Sequence, residues 1–117
     1  MKYDWINEYC LSKSGVQKDF KVEWQWHRYL IEKKLFCAVC TDKGGRPIVT
    51  LKCEPSFGTM LRSTYEDIVP GYYMNKEHWN SVYLDADVPD NIIKQMIDMS
   101  YSLVFSSLPK KVQRSIG

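Results

Sequence analysis

A chain of 117 residues, 44% hydrophobic and 26% charged, is long enough to bury a real core and has the composition of an ordinary globular protein, so residues 1–117 are expected to form a single domain. A net charge of +2 excludes the strongly basic balance that would argue for nucleic acid by itself. No apolar run approaches the length of a membrane span, and the opening MKYDWINEY has no apolar h-region, so neither a membrane segment nor a secretory signal is expected, and Cys10, Cys37, Cys40 and Cys53 read as reduced thiols of a cytoplasmic protein.

In chain order, Asp4 to Lys13 reads as a helix with Trp5, Ile6, Tyr9 and Cys10 on one face, Asp4 as its N-cap and Gly15 just past its end. Lys18 to Glu23 reads as a first strand of edge-like polarity, with Trp24, Gln25 and Trp26 at a turn. His27 to Glu32 follows as a second strand. Leu35 to Thr41, a continuous apolar run, is the candidate central strand. Asp42 to Arg46, with two glycines, predicts a hairpin loop, and Pro47 to Lys52 a fourth strand. Connections this short make an antiparallel meander.

Glu54-Pro55 predicts a helix start with proline in its first turn, running to about Thr64. Ile68 to Gly71 reads as a loop, Tyr72 to Met74 as a short strand, Asn75 as the cap of one turn over Lys76 to Trp79, and Ser81 to Asp85 as a further strand. The last and longest helix starts at Val88-Pro89-Asp90 with Ile92, Ile93, Met96, Ile97, Val104 and Leu108 as its apolar stripe. Pro109 ends it before a short basic tail. The order predicts an α+β two-layer sandwich: an antiparallel sheet of five to six strands, with the N-terminal and C-terminal helices on one face.

Four stretches carry a family resemblance. They are Tyr9 to Val16, Thr50-Leu51-Lys52-Cys53 followed by Glu54-Pro55, Pro70-Gly71-Tyr72-Tyr73-Met74-Asn75-Lys76-Glu77-His78-Trp79-Asn80, and Leu108-Pro109-Lys110-Lys111. With these the chain resembles the MmcQ/YjbR family of small bacterial proteins over essentially its whole length. That family usually has His where Tyr73 stands here. The resemblance implies a CyaY-like fold. It also implies DNA binding through a double wing of β-hairpins.

The residues that could carry chemistry are few. Cys37 and Cys40 form a CxxC, but inside a strand residues three apart point to opposite faces, which favours buried structural thiols over a zinc or redox pair. His78, near Asn75 and Glu77, could serve acid–base work, brace a turn or touch a ligand. Oxygen-rich metal sites need clustered carboxylates, and the first helix offers only Asp4 and Glu8, so no metal and no cofactor are expected. Tyr72, Trp79 and Tyr83 suit either core packing or base stacking. Trp24 and Trp26 share a face if they lie on one strand, where both could be buried.

In a meander the Trp24–Trp26 turn and the Lys43–Arg46 loop fall at one end, and Lys33 and Lys34 at the other, roughly 20 Å away. Taken together, these features predict a non-enzymatic binding module. Its expected partner is DNA, held weakly and salt-sensitively by Lys43, Arg46, Lys52, Lys76, Lys110 and Lys111, with Tyr72 or Trp79 stacking. The alternative is a small-molecule or protein partner bound at Tyr72 to Asn80, with Asn75, Lys76 and His78 as polar anchors. A monomer is favoured.

Overall fold

The computed structural model describes residues 3–116; residues 1, 2 and 117 of the expected domain lie outside the described residues. Helix α1 spans Trp5–Leu11, strands β1 to β4 span Val16–Lys21, Trp26–Ile31, Lys34–Thr41 and Pro47–Lys52, and α2 spans Pro55–Thr64. Strands β5 (Ile68–Pro70) and β6 (Trp79–Tyr83) follow, then α3 (Asp90–Ser106) and α4 (Lys110–Ile116). The six strands form one sheet, ordered β1-β2-β3-β4-β6-β5, with every neighbouring pair antiparallel. The architecture is the expected α+β two-layer sandwich.

The four helices supply one layer. Ile6 and Cys10 of α1, Leu61 of α2, and Ile93, Met96, Ile97 and Val104 of α3 are buried in one cluster with Tyr29, Ile31, Cys37, Val49, Leu51, Val82 and Ile68 of the sheet, and Val112 and Ile116 of α4 pack against it. The opposite face carries no helix among the described residues. Its small cluster consists of Cys40, Ile48 and Tyr83, with Trp26, Val69, Tyr72 and Ala86 packed against them. Cys37 and Cys40 therefore do face opposite ways, and all four cysteines are free and buried.

Ser100 stitches the layers together. The β3–β4 ladder stops at Cys37 and Leu51. One residue further on, the fully buried Ser100 hydroxyl donates to the Phe36 carbonyl and accepts the Lys52 N–H at 2.9 Å. One side chain of α3 thus satisfies two backbone groups where the strands part.

Several boundaries differ from the sequence reading, each for a local reason. Asp4 sits at the N-cap but gives no side-chain capping bond, and α1 ends at Leu11, short of Lys13, where the Lys13 N–H donates to the Cys10 carbonyl three residues back. Tyr72 to Met74 is not a strand. Pairing moves back to Ile68–Pro70, and after the Gly71 N–H bonds the Trp79 carbonyl at 2.7 Å, the Tyr72 N–H turns to the Ser81 hydroxyl at 3.0 Å instead of continuing the ladder. The β6 strand starts at Trp79 because it follows β4 from Lys52 opposite Trp79 to Ile48 opposite Tyr83. The basic tail is a helix: Pro109 ends α3, but its carbonyl accepts the Gln113 N–H at 3.0 Å and opens α4. Trp24 and Trp26 are not jointly buried, since Trp26 begins β2 half-buried while Trp24 stands in the turn, 56% exposed.

Replacing Ser100 with Ala strands the Phe36 carbonyl and the Lys52 N–H in the core. The expected cost is about 1–3 kcal/mol in urea unfolding, against less than about 0.5 kcal/mol for Ser115→Ala on the exposed side of α4. Equal effects of the two substitutions would contradict the stitch.

Candidate functional site: an aromatic cleft on the helix-free face

The β5–β6 connection lies across the bare side of the sheet. Two bonds to β6 anchor Tyr72: its N–H to the Ser81 hydroxyl, and its hydroxyl to that of Tyr83 at 2.8 Å. Tyr73 reaches further. Its hydroxyl donates to the Thr41 carbonyl at the end of β3 (3.2 Å), and its ring lies 5.6 Å from that of Trp26 on β2. The Tyr73 backbone is left-handed, with φ of 66°, a conformation that costs a residue with a Cβ of order 1 kcal/mol and turns the ring over the sheet. Gly71 makes the bend possible, because a Cβ there would stand 2.6 Å from the Trp79 Cβ. Asn75 tightens the far side of the connection by accepting the Glu77 and His78 N–H groups at 2.9 and 3.1 Å.

This crossing leaves a cleft of about 380 Å³ lined by Trp24, Trp26, Thr41 and Tyr73. The Trp24 and Trp26 rings are 5.3 Å apart at 60°, and Trp26 meets Tyr73 at 49°, so three non-parallel rings wall it. Trp24 is 56% and Tyr73 49% exposed. The β1–β2 turn and the β3–β4 loop share this end of the sheet, as a meander requires.

The six expected cations do not gather here. Lys43 is exposed on the β3–β4 loop. Arg46 is engaged: its Nε and Nη2 bond the two Asp85 oxygens at 3.0 and 2.7 Å, and its guanidinium lies 3.7 Å over the Tyr83 ring. The hydrogen bond from Arg46 holds the Asp85 carboxyl below its ordinary range. Lys76 donates to the Gly71 carbonyl at 2.7 Å and braces the crossing segment. Lys52 ends β4 at the opposite end from Arg46, paired with Trp79. Lys110 and Lys111 open α4, beyond the end of α3 where Lys34 Nζ meets the Ser107 hydroxyl at 3.3 Å. The cations thus divide between the two ends of the sheet.

The expected stacking and anchoring residues are largely spent on structure. Trp79 is buried in β6 under Gly71, Tyr72 is half-buried, and Asn75 caps the turn. The His78 backbone is held at both ends, its N–H by Asn75 and its carbonyl by the Cys53 N–H at 2.8 Å, while the residue stays exposed. His27 packs its ring on Phe20 at 4.7 Å. Burial pushes the Cys40 thiol up to about 11, and burial together with a hydrogen bond to Cys10 raises Cys37, so neither half of the CxxC is poised as a thiolate. Among the described residues no group of three or more His, Cys, Asp or Glu is placed to hold a metal. The cleft residues themselves were legible only as a Trp-x-Trp alternation and a tyrosine pair after Pro-Gly; nothing in the spacing says that the two meet.

Tyr83 reports on the crossing segment. Its bond to Tyr72, followed by burial, pushes its phenol up to about 12 from an ordinary value of 10, against a smaller opposing pull from Arg46. The fold therefore favours the neutral phenol. This contribution is whole below pH 10 and is lost as the pH rises toward 12. In Tyr72→Phe, Tyr83 is expected to ionise nearer 10 when followed by the ¹³C shift of its ring. An unchanged midpoint would show that the bond is not made.

Residues 11–103 match the YjbR family. The chain is 33% identical over 107 residues to the uncharacterized protein YjbR of Escherichia coli K12, covering 92% of this chain and 90% of that one. It is 35% identical over 88 residues to the uncharacterized protein YbdF of Escherichia coli O157:H7, covering 75% of this chain and 71% of that one. Among solved structures, the Deinococcus radiodurans protein DR2400, with a domain named DUF419, superposes with a TM-score of 0.86 at 23% identity over 96% of this chain and 85% of that one. A Pseudomonas syringae protein superposes with a TM-score of 0.74 at 23% identity, over 89% of this chain and 99% of that one. These structures share the fold. No helix among the described residues is long and apolar enough to cross a membrane.

Proposed function

This chain belongs to the YjbR family, and we propose that it is a non-enzymatic binding module whose site is the cleft between Trp24, Trp26, Thr41 and Tyr73. The observation that carries the reading is the exposure of Trp24 and Tyr73 across a concave space of about 380 Å³, which lies in the size range of small-molecule sites. Half-exposed aromatic rings that wall a concavity, beside a backbone held at positive φ, are what a binding site retains and a purely structural face would bury. A monomer working in the reducing cytoplasm fits the four free thiols.

Nucleic acid gripped by the two hairpin wings is the second reading. In its favour, exposed Lys43 and exposed Trp24 stand on the two turns that share an end. Against it, Arg46 is paired with Asp85, Lys21 lies 3.8 Å from Glu23, and Asp42 stands next to Lys43, so the wing tips carry no charge excess.

Titration with the neutral apolar fluorophore N-phenyl-1-naphthylamine tests the cleft. Saturable binding is expected in the native protein, weakened about tenfold or more by Trp24→Ser at unchanged unfolding midpoint. Equal affinity in that variant would contradict the proposed site. Labelled single- and double-stranded DNA, titrated from low to physiological salt, is expected to show no steep salt-dependent binding. Submicromolar binding lost on Lys43→Glu with Arg46→Glu would replace the cleft reading by the wing reading.

A further inference from the structure

We infer that the cleft is an aromatic cage for a small alkylated ammonium ion, an inference that rests on the cleft being a binding site at all. The faces of Trp and Tyr rings carry negative potential, and a cation within about 6 Å of a ring centroid is attracted to it. Trp26 stands at 60° to Trp24 and at 49° to Tyr73, and all three rings line the cavity, so it is bounded by inclined rings and not by a parallel stack. Trp24 already has a cation in such a relation, the Lys21 ammonium 5.5 Å from its ring.

The polar groups at the rim suit a positive guest. Thr41 lines the cavity, and its carbonyl accepts the Tyr73 hydroxyl. Asp42 follows directly. Its Oδ1 accepts the Gly44 and Arg46 N–H groups, both at 2.9 Å, while Oδ2 has no hydrogen-bond donor and no ion pair among the described residues. Nearby Arg46 and Lys21 are each engaged by a carboxylate, Asp85 and Glu23. Lys43 is the charge that opposes a cationic guest: it is exposed on the same loop and makes no ion pair among the described residues. A phosphate-bearing ligand would face the opposite problem, because the cavity lining is aromatic and holds no basic side chain. An alkylated ammonium answers both features. Its methyl groups fill apolar space, and its charge needs no hydrogen bond from the host.

The test compares choline with its neutral isostere 3,3-dimethylbutan-1-ol, following the indole N–H resonances of the native protein by ¹H–¹⁵N NMR. Choline is expected to shift Trp24 and Trp26 saturably and about tenfold more tightly than the isostere. Trp5, which packs against the helix-side core, is expected not to move. Tyr73→Leu should abolish the preference for the cation while leaving the isostere bound, and Lys43→Ala should tighten choline alone. A trimethyl-lysine peptide distinguishes a modified protein from a free small molecule as the source of the ammonium, and choline is expected to bind at least as well. Peptide binding at least about tenfold tighter than choline would overturn the small-molecule assignment. Equal binding of choline and isostere would overturn the cage and leave the cleft as an apolar site. So would binding of N-phenyl-1-naphthylamine with no response to choline. Failure of all four probes would overturn both the cage and the cleft.

Discussion

A six-stranded sheet with apolar side chains on both faces has to cover both, and here all four helices lie on one. What covers the other is a single aromatic crossing. Tyr72, fixed to Ser81 and Tyr83, closes over Cys40 and Ile48, and Tyr73 carries the cover on to Thr41 and Trp26. The rest of the helix-free face follows from that crossing. The connection bends at Gly71 because Trp79 lies directly beneath, and Lys76 and Asn75 hold its return. Arg46 is drawn onto Tyr83, the ring that anchors Tyr72.

The cover is incomplete, and this incompleteness makes the proposed site. Tyr73 ends its reach at β2, and Trp24 stands more than half exposed in the β1–β2 turn, so the rings leave a cleft where a longer segment would have filled it. Two of the walls lie on paired strands, Trp26 opposite Lys21 and Thr41 opposite Pro47. The other two stand on connections: Tyr73 at positive φ, and Trp24 next to Gln25, whose φ is also positive.

Much of the frame could be read from residue order. The strand Pro47–Lys52 and the helix Pro55–Thr64 coincide with their expected ranges, because proline and the Asp42–Arg46 turn punctuate the chain unambiguously. The opposed facing of Cys37 and Cys40 follows from strand alternation alone. The cleft could not be read the same way. A tyrosine gives no sign that its backbone will be left-handed, and Tyr72 to Met74 looks as strand-like as Ile68 to Pro70 until the Ser81 hydroxyl captures the Tyr72 N–H. Charge counting is also blind to pairing, because Arg46 and Lys76 are basic in sequence but engaged in space by Asp85 and the Gly71 carbonyl.

The crossing of the helix-free face by Tyr72 and Tyr73 is the central claim, and an aromatic NOESY spectrum of the native protein addresses it most directly. The account predicts cross-peaks from the Tyr73 ring to the Trp26 indole and from the Tyr72 ring to that of Tyr83. A Tyr73 ring with sharp, exchange-averaged resonances and no cross-peak to any proton of β2 or β3 would contradict it, because the cleft would then have no wall on that side.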